Sequence, residues 1–171
     1  MLYMVDCGFA DPAREQEWCD WYDGPKLASL LALPGWAGSQ RFQAVAPIAA
    51  PWLAIHTVPG PEFFTSEIYK NAGGGNFADW GALITNWSRN LFDGIAEAPE
   101  VPADALLAVA DVAPGPAPMD GVEFTWLRGI GLDNSVPDRA IAIVPAEATA
   151  PAGGTVRLYR PVTPLMKGTA G

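Results

Sequence analysis

Cysteine, histidine and basic residues are scarce in this chain, and each scarcity excludes something. Two cysteines, Cys7 and Cys19, cannot build a disulfide framework or a zinc site and read as two buried free thiols. Ten Lys and Arg against 19 Asp and Glu give a net charge of −9, which argues against a nucleic-acid surface. No apolar run approaches the ~18 residues a membrane helix needs. The start, Met1 to Asp6, has neither a basic n-region nor a signal-peptide core, so the cytoplasm is the expected location. There is no nucleophile elbow, no dinucleotide fingerprint and no metal-ligand spacing. Gly73-Gly74-Gly75 runs into Asn76-Phe77 rather than the Lys-Ser of a phosphate loop. The expectation is therefore a protein without a resident nucleotide, metal or flavin.

What the chain does contain is apolar and irregular. Half of its 171 residues are hydrophobic, enough for a substantial core, while 17 prolines and 18 glycines predict short elements and long connections. Leu2 to Phe9 alternates as a strand. Asp11-Pro12 reads as a helix start, and Trp18, Trp21 and Tyr22 then recur at helical spacing, as do Leu27, Leu30 and Leu31. Gly24-Pro25 between them should break or kink that helix. Strands are expected at 36–45 and 52–58, a short helix at 61–69, a mobile glycine loop at 71–76 and a strand at 83–92. The order β-α-β-β-α-β is the ferredoxin-like arrangement.

After a linker at 97–102, strands are expected at 106–112, 123–132, 139–144 and 156–162, with no convincing helix. Strand-turn-strand ending in Val-Pro occurs in both halves, and Leu158-Tyr159-Arg160 echoes Asn86-Trp87-Ser88-Arg89. The expected architecture is thus α+β: a ferredoxin-like half at 1–95 and a degenerate, mostly β repeat at 96–171 in the same compact domain. It would form an α+β barrel within the chain or by dimerisation. The tail from Lys167 to Gly171 is expected to fray.

One stretch carries a family resemblance. Glu17-Trp18-x-x-Trp21-Tyr22-Asp23-x-x-Lys26-Leu27, then Pro34-Gly35-Trp36 and Arg41-Phe42, then a strand ending in His56, resembles the dimeric α+β-barrel superfamily. The resemblance covers residues 1 to 95. That superfamily includes monooxygenases of antibiotic biosynthesis, muconolactone isomerases, chlorite dismutases and small decarboxylases or cyclases, in which two ferredoxin-like sheets face one another around a pocket. This chain has Lys26 where the motif usually carries histidine, so any imidazole chemistry expected on that helix moves elsewhere.

Candidate site residues follow from side-chain chemistry. His56 is the only histidine and alone has an ordinary pKa near neutrality, suited to moving a proton; the alternative is a histidine satisfied inside a sheet. Tyr22 and Lys26 stand at i, i+4, either as a proton-handling pair or as a packed tyrosine beside a snorkelling lysine. Trp18 and Trp21 could clamp an aromatic substrate or fill the core. Arg41, Arg89, Arg128 and Arg160 lie in expected strands, where a buried arginine needs a partner: a substrate carboxylate, or a salt bridge to Asp6 or Glu123. Trp87 and Tyr159, from the two echoing segments, complete the candidate substrate contacts. Leu53 and Ile55 are expected on the helix side of the third strand, with Trp52, Ala54, His56, Ser39 and Arg41 facing the barrel cavity.

The expected function is a cofactor-independent lyase. Its best single form is a decarboxylase of a small aromatic, phenolic acid in aromatic-compound catabolism. The alternatives are a cofactor-free monooxygenase, cyclase or isomerase of the same superfamily, and a non-catalytic aromatic-ligand-binding or stress-response protein. The expected partner is a small aromatic carboxylate, with a homodimer open and no nucleic acid or membrane.

Overall fold

The computed structural model describes residues 1–72 and 75–168. Gly73, Gly74 and the tail 169–171 lie outside these, so the expectations for the glycine loop and the frayed end fall partly beyond the described residues. Eight strands supply the wall of the fold: β1 (Leu2–Phe9), β2 (Gly38–Ala44), β3 (Trp52–Thr57), β4 (Ile84–Asp93), β5 (Ala105–Ala110), β6 (Thr125–Leu132), β7 (Asp138–Pro145) and β8 (Val156–Pro161). A two-residue β9 (Met166–Lys167) adds to β2. All pairings are antiparallel, in the order β3-β1-β4-β6-β7-β5-β8-β2, and β2 pairs back to β3. The sheet therefore closes on itself within one chain and leaves no long open edge.

This overturns the expected ferredoxin-like α+β half with a degenerate repeat. The molecule is a closed eight-stranded antiparallel barrel with, among the described residues, three short α-helices: α1 (Glu15–Trp21), α2 (Leu27–Leu31) and α3 (Glu67–Asn71). None exceeds seven residues. Pro25 removes a backbone donor, and the chain widens into a π-helical turn (Tyr22–Lys26) between α1 and α2. The 61–69 helix is likewise split: 3₁₀ at Pro61–Thr65, then Ser66 extended, its hydroxyl accepting from the Tyr69 amide to cap α3. Strands β1 to β4 stand in the order β4-β1-β3-β2, and β5 to β8 in the same order, β8-β5-β7-β6.

An eight-stranded barrel is just wide enough for side chains to fill. Leu2, Met4, Phe42, Leu53, Ile55, Phe92, Leu107, Val109, Leu127, Ile141 and Tyr159 form one buried cluster in its lumen. A cluster of charges joins this core: Arg139, fully buried, bonds Asp6 at 3.1 Å and Asp111 at 2.6 Å, and Arg157 also meets both acids. Burial alone would lower the Arg139 pKa, but the two carboxylates outweigh it and raise the pKa.

The other face of each strand points outward. On β1 and β3 that face carries Tyr3, Val5, Cys7, Trp52 and Ala54, with Trp36 just before β2 beside them, and is roofed by α1, the π turn, α2 and the 61–83 segment. On β5 and β7 it carries Leu106, Ala108, Ala110, Ala140 and Ala142, and connecting-segment residues such as Met119, Val122 and Phe124 cover it. The expected face assignment is thus inverted. Leu53 and Ile55 fill the lumen, while Trp52, Ala54 and His56 lie under the helical roof.

Candidate functional site

Between that roof and the barrel wall is a small chamber. Its floor is Tyr3 and Val5 of β1 and His56 of β3, with Trp36 just before β2. Its sides and roof are Tyr22 and Lys26 of the π turn, Leu30, Tyr69 of α3, Gly75, Phe77 and Trp87. The π turn sets Tyr22 and Lys26, four residues apart, on one side of the roof. Register does the rest: Tyr3 and Ser39 both stand opposite His56 on the strands that flank β3. Free volume is about 10 Å³, room for roughly one water.

His56 is 1% exposed. Its Nδ1 is 2.8 Å from Ser39 Oγ, and Ser39 Oγ accepts from the Trp36 indole N–H at 2.9 Å. Its ring packs against Tyr3 and Trp36, with centroids 5.4 and 4.9 Å away. Its Nε2 has no hydrogen-bond partner among the described residues. Burial, and then the charges of Lys26 and Arg41, push its pKa down to about 3. The imidazole is therefore neutral throughout the physiological range.

The other polar groups of the chamber are three phenols and one amine. Burial raises the pKa of Tyr3, Tyr22 and Tyr69, so all three remain protonated donors. The Tyr69 hydroxyl is buried, meets no partner at strict hydrogen-bond geometry among the described residues, and faces the Tyr3 phenol closely enough that each acts on the other's pKa. Burial lowers the pKa of Lys26. No carboxylate lines the chamber among the described residues. An arrangement of O–H, N–H and amine groups without an acid suits a ligand oxygen that carries or develops negative charge.

Arg41 does not reach this chamber. It is 1% exposed, its guanidinium sits 4.1 Å from the Tyr22 ring centroid, 4.8 Å from Trp18 and 5.0 Å from Trp52, and it is ion-paired to Asp23 of the π turn. Trp18 belongs to that cage and stacks on Phe9, 4.9 Å centroid to centroid. Trp21 packs on Tyr22 and Trp80, away from the chamber. Arg89 stands at the rim, close enough to Tyr3 and Tyr69 to act on their pKa values, bonded to Asp133 and stacked 4.7 Å from Trp87. Arg128 is 74% exposed in its side chain beside Asp93, Arg160 faces solvent, and Tyr159 fills the lumen.

The structure therefore brings together His56, Tyr22, Lys26 and Trp87, leaves Arg89 adjacent, and separates the other candidates from them. Tyr3 and Tyr69 complete the constellation without having been singled out from the sequence; Ser39, expected on the cavity side of its strand, and Trp36, part of the family motif, join it as well. The alternation of β1 does place Tyr3 with Val5 and Cys7, but only the β1–β3 register aligns it with His56. Among the described residues no group of three or more His, Cys, Asp or Glu side chains is placed to hold a metal ion, and no helix is long and apolar enough to cross a membrane.

No family model matches the chain, and no curated protein does. Among solved structures, the crystal structure of an "anthrone oxidase-like protein" superposes with a TM-score of 0.57, covering 99% of this chain and 95% of that one at 14% identity. The likeness is one of fold. It assigns no superfamily, branch or activity to this chain.

Proposed function

We propose that the chamber binds an electron-rich polycyclic phenol, or its keto tautomer, and oxidises it with dioxygen without a resident cofactor. The observation that carries this reading is His56 Nε2, buried with no hydrogen-bond partner among the described residues, beside a Tyr69 hydroxyl whose neighbour is the Tyr3 phenol, in an aromatic-walled chamber lined by no carboxylate among the described residues. Hydrogen bonds from such groups lower the pKa of a bound phenol or enol, because they favour its anion. Lys26 adds positive charge nearby. The electron-rich anion then reacts with dioxygen. At a ring CH₂ activated by a carbonyl, both hydrogens are lost, one oxygen atom becomes a second carbonyl and the other leaves as water. The name of the structural neighbour, an anthrone oxidase-like protein, points toward this substrate class.

A ring does not fit the closed chamber, so entry requires Phe77 and Trp87 to swing outward; Trp87 is already 43% exposed. The decarboxylase reading needs a carboxylate anchor. Arg41 is caged, which leaves Arg89, whose buried Nε has no hydrogen-bond partner among the described residues.

The test is dioxygen uptake with anthrone and a panel of naphthols, beside carbon dioxide release from hydroxylated aromatic acids. Uptake that falls at least about tenfold in Tyr69→Phe supports the oxidase reading. Carbon dioxide release without uptake moves the assignment to the lyase. Neither, from folded protein that binds these compounds, overturns both and leaves a binding protein.

A further inference from the structure

Ser39 is fully buried, and its hydroxyl meets two side chains, the Trp36 indole and His56 Nδ1. An indole N–H can only donate, so Trp36 occupies one lone pair of Ser39 Oγ. The serine has a single hydrogen of its own, and His56 Nδ1 is the other side-chain atom within reach among the described residues. If Nδ1 carried the ring proton, Ser39 would accept twice. Its hydroxyl hydrogen would then face a dry interior with no acceptor, an arrangement that folded proteins avoid.

We infer that Ser39 donates to His56 Nδ1 and so holds the ring as its Nε2–H tautomer, making Nε2–H a fixed donor aimed into the chamber. The lone pair that could take a proton is tied to Ser39, so His56 does not abstract a substrate proton through Nε2. It recognises an acceptor oxygen, a ketone or a phenolate, and polarises it. Ser39 is the positioning residue, acting on the ligand only through the imidazole. The tautomer rests on the hydrogen bonds alone; the ligand statement rests on the function proposed above.

Because His56 is the only histidine, ¹⁵N-histidine labelling yields one assignable ring in the whole protein. Long-range ¹H–¹⁵N spectra at pH 7 should show Nδ1 unprotonated and Nε2 protonated. The reverse pattern, or an imidazolium, overturns the tautomer. Ser39→Ala, checked for folding by circular dichroism, should raise the Nδ1–H population to a measurable share; an unchanged pattern overturns Ser39 as its cause. If that variant does not fold, the wild-type spectrum still decides the tautomer.

Ligand polarity is read with α-tetralone against tetralin, which lacks the oxygen. The ketone should bind at least about tenfold more tightly and shift the His56 Nε2–H signal. Equal affinity with no shift overturns the acceptor recognition and leaves the tautomer standing. Ketone binding with that shift, but no dioxygen uptake from any phenol, supports this inference and overturns the proposed oxidase.

Discussion

Asp23→Ala should destabilise the protein more than removal of the arginine it pairs with. Arg41 is a buried cation held among the Tyr22, Trp18 and Trp52 rings, and Asp23 is its ion-pair partner. Deleting the acid leaves the guanidinium buried with its countercharge gone. Breaking a fully buried pair in this way costs about 3–5 kcal/mol. The Asp23 side chain is 30% exposed, so water already screens part of the pair and the low end, about 3 kcal/mol, applies. For a chain of this length that is a fall in Tm of roughly 6–12 °C. Arg41→Met instead removes the charge, keeps most of the volume and frees Asp23 to turn to solvent. Its cost is the lost cation–π attraction and imperfect repacking, about 1–2 kcal/mol. Urea and thermal unfolding followed by tryptophan fluorescence measure both variants. The order is the diagnostic result. If Arg41→Met costs as much as Asp23→Ala, or Asp23→Ala falls within about 0.5 kcal/mol of wild type, the caged-pair account fails. Loss of ligand binding in a folded Arg41→Met protein would instead restore Arg41 as a substrate anchor.

Two further outcomes follow from the buried titratable groups. His56 has a native pKa near 3 and an ordinary value of 6.5, so as pH falls below 6.5 the unfolded chain takes up a proton that the native state refuses. That site then lowers stability by up to about 1.4 kcal/mol per pH unit until pH approaches 3, and adds no slope above 6.5. His56→Gln should flatten this part of the stability–pH curve between pH 4 and 6.5, and slopes that coincide with wild type would contradict the buried neutral imidazole. Burial pushes the Cys7 thiol up to about 12 and the Cys19 thiol up to about 11. Ellman's reagent at pH 8 should therefore modify native protein at least about 100-fold more slowly than urea-unfolded protein; a fast native thiol would contradict this burial.

Strand positions were legible because alternation is local: Leu2–Phe9 was read with the bounds it adopts, and 156–162 differs from β8 by one residue. A barrel was expected either within the chain or by dimerisation, and closure within one chain could not be chosen from the sequence. It depends on the β4–β6 and β2–β8 pairings, which join segments about 40 and 120 residues apart and leave no local pattern. The faces were misassigned for a physical reason. Polar His56 and Arg41 suggested a wet cavity, and a barrel suggests that its lumen is that cavity, but eight strands leave only enough lumen for Leu2, Met4, Leu53 and Ile55 to pack dry. Arg41 was read as an anchor because its partner, Asp23, lies on the turn that Pro25 creates, and turn geometry does not show in residue spacing. The Gly24-Pro25 interruption itself was legible, and it is what sets Tyr22 and Lys26 at the chamber.

The central claim is that the chamber favours an oxygen anion, and the ionisation of a bound phenol tests it most directly. Absorbance titration of 2-naphthol with saturating protein reads that ionisation in place. The account predicts a bound pKa at least one unit below that of free naphthol, equivalent to about 1.4 kcal/mol in favour of the anion. The shift should disappear in a folded His56→Phe, Tyr69→Phe double variant. A bound pKa equal to or above the free value would contradict the account, because it would show that apolar burial outweighs the donors of His56, Tyr69 and their neighbours.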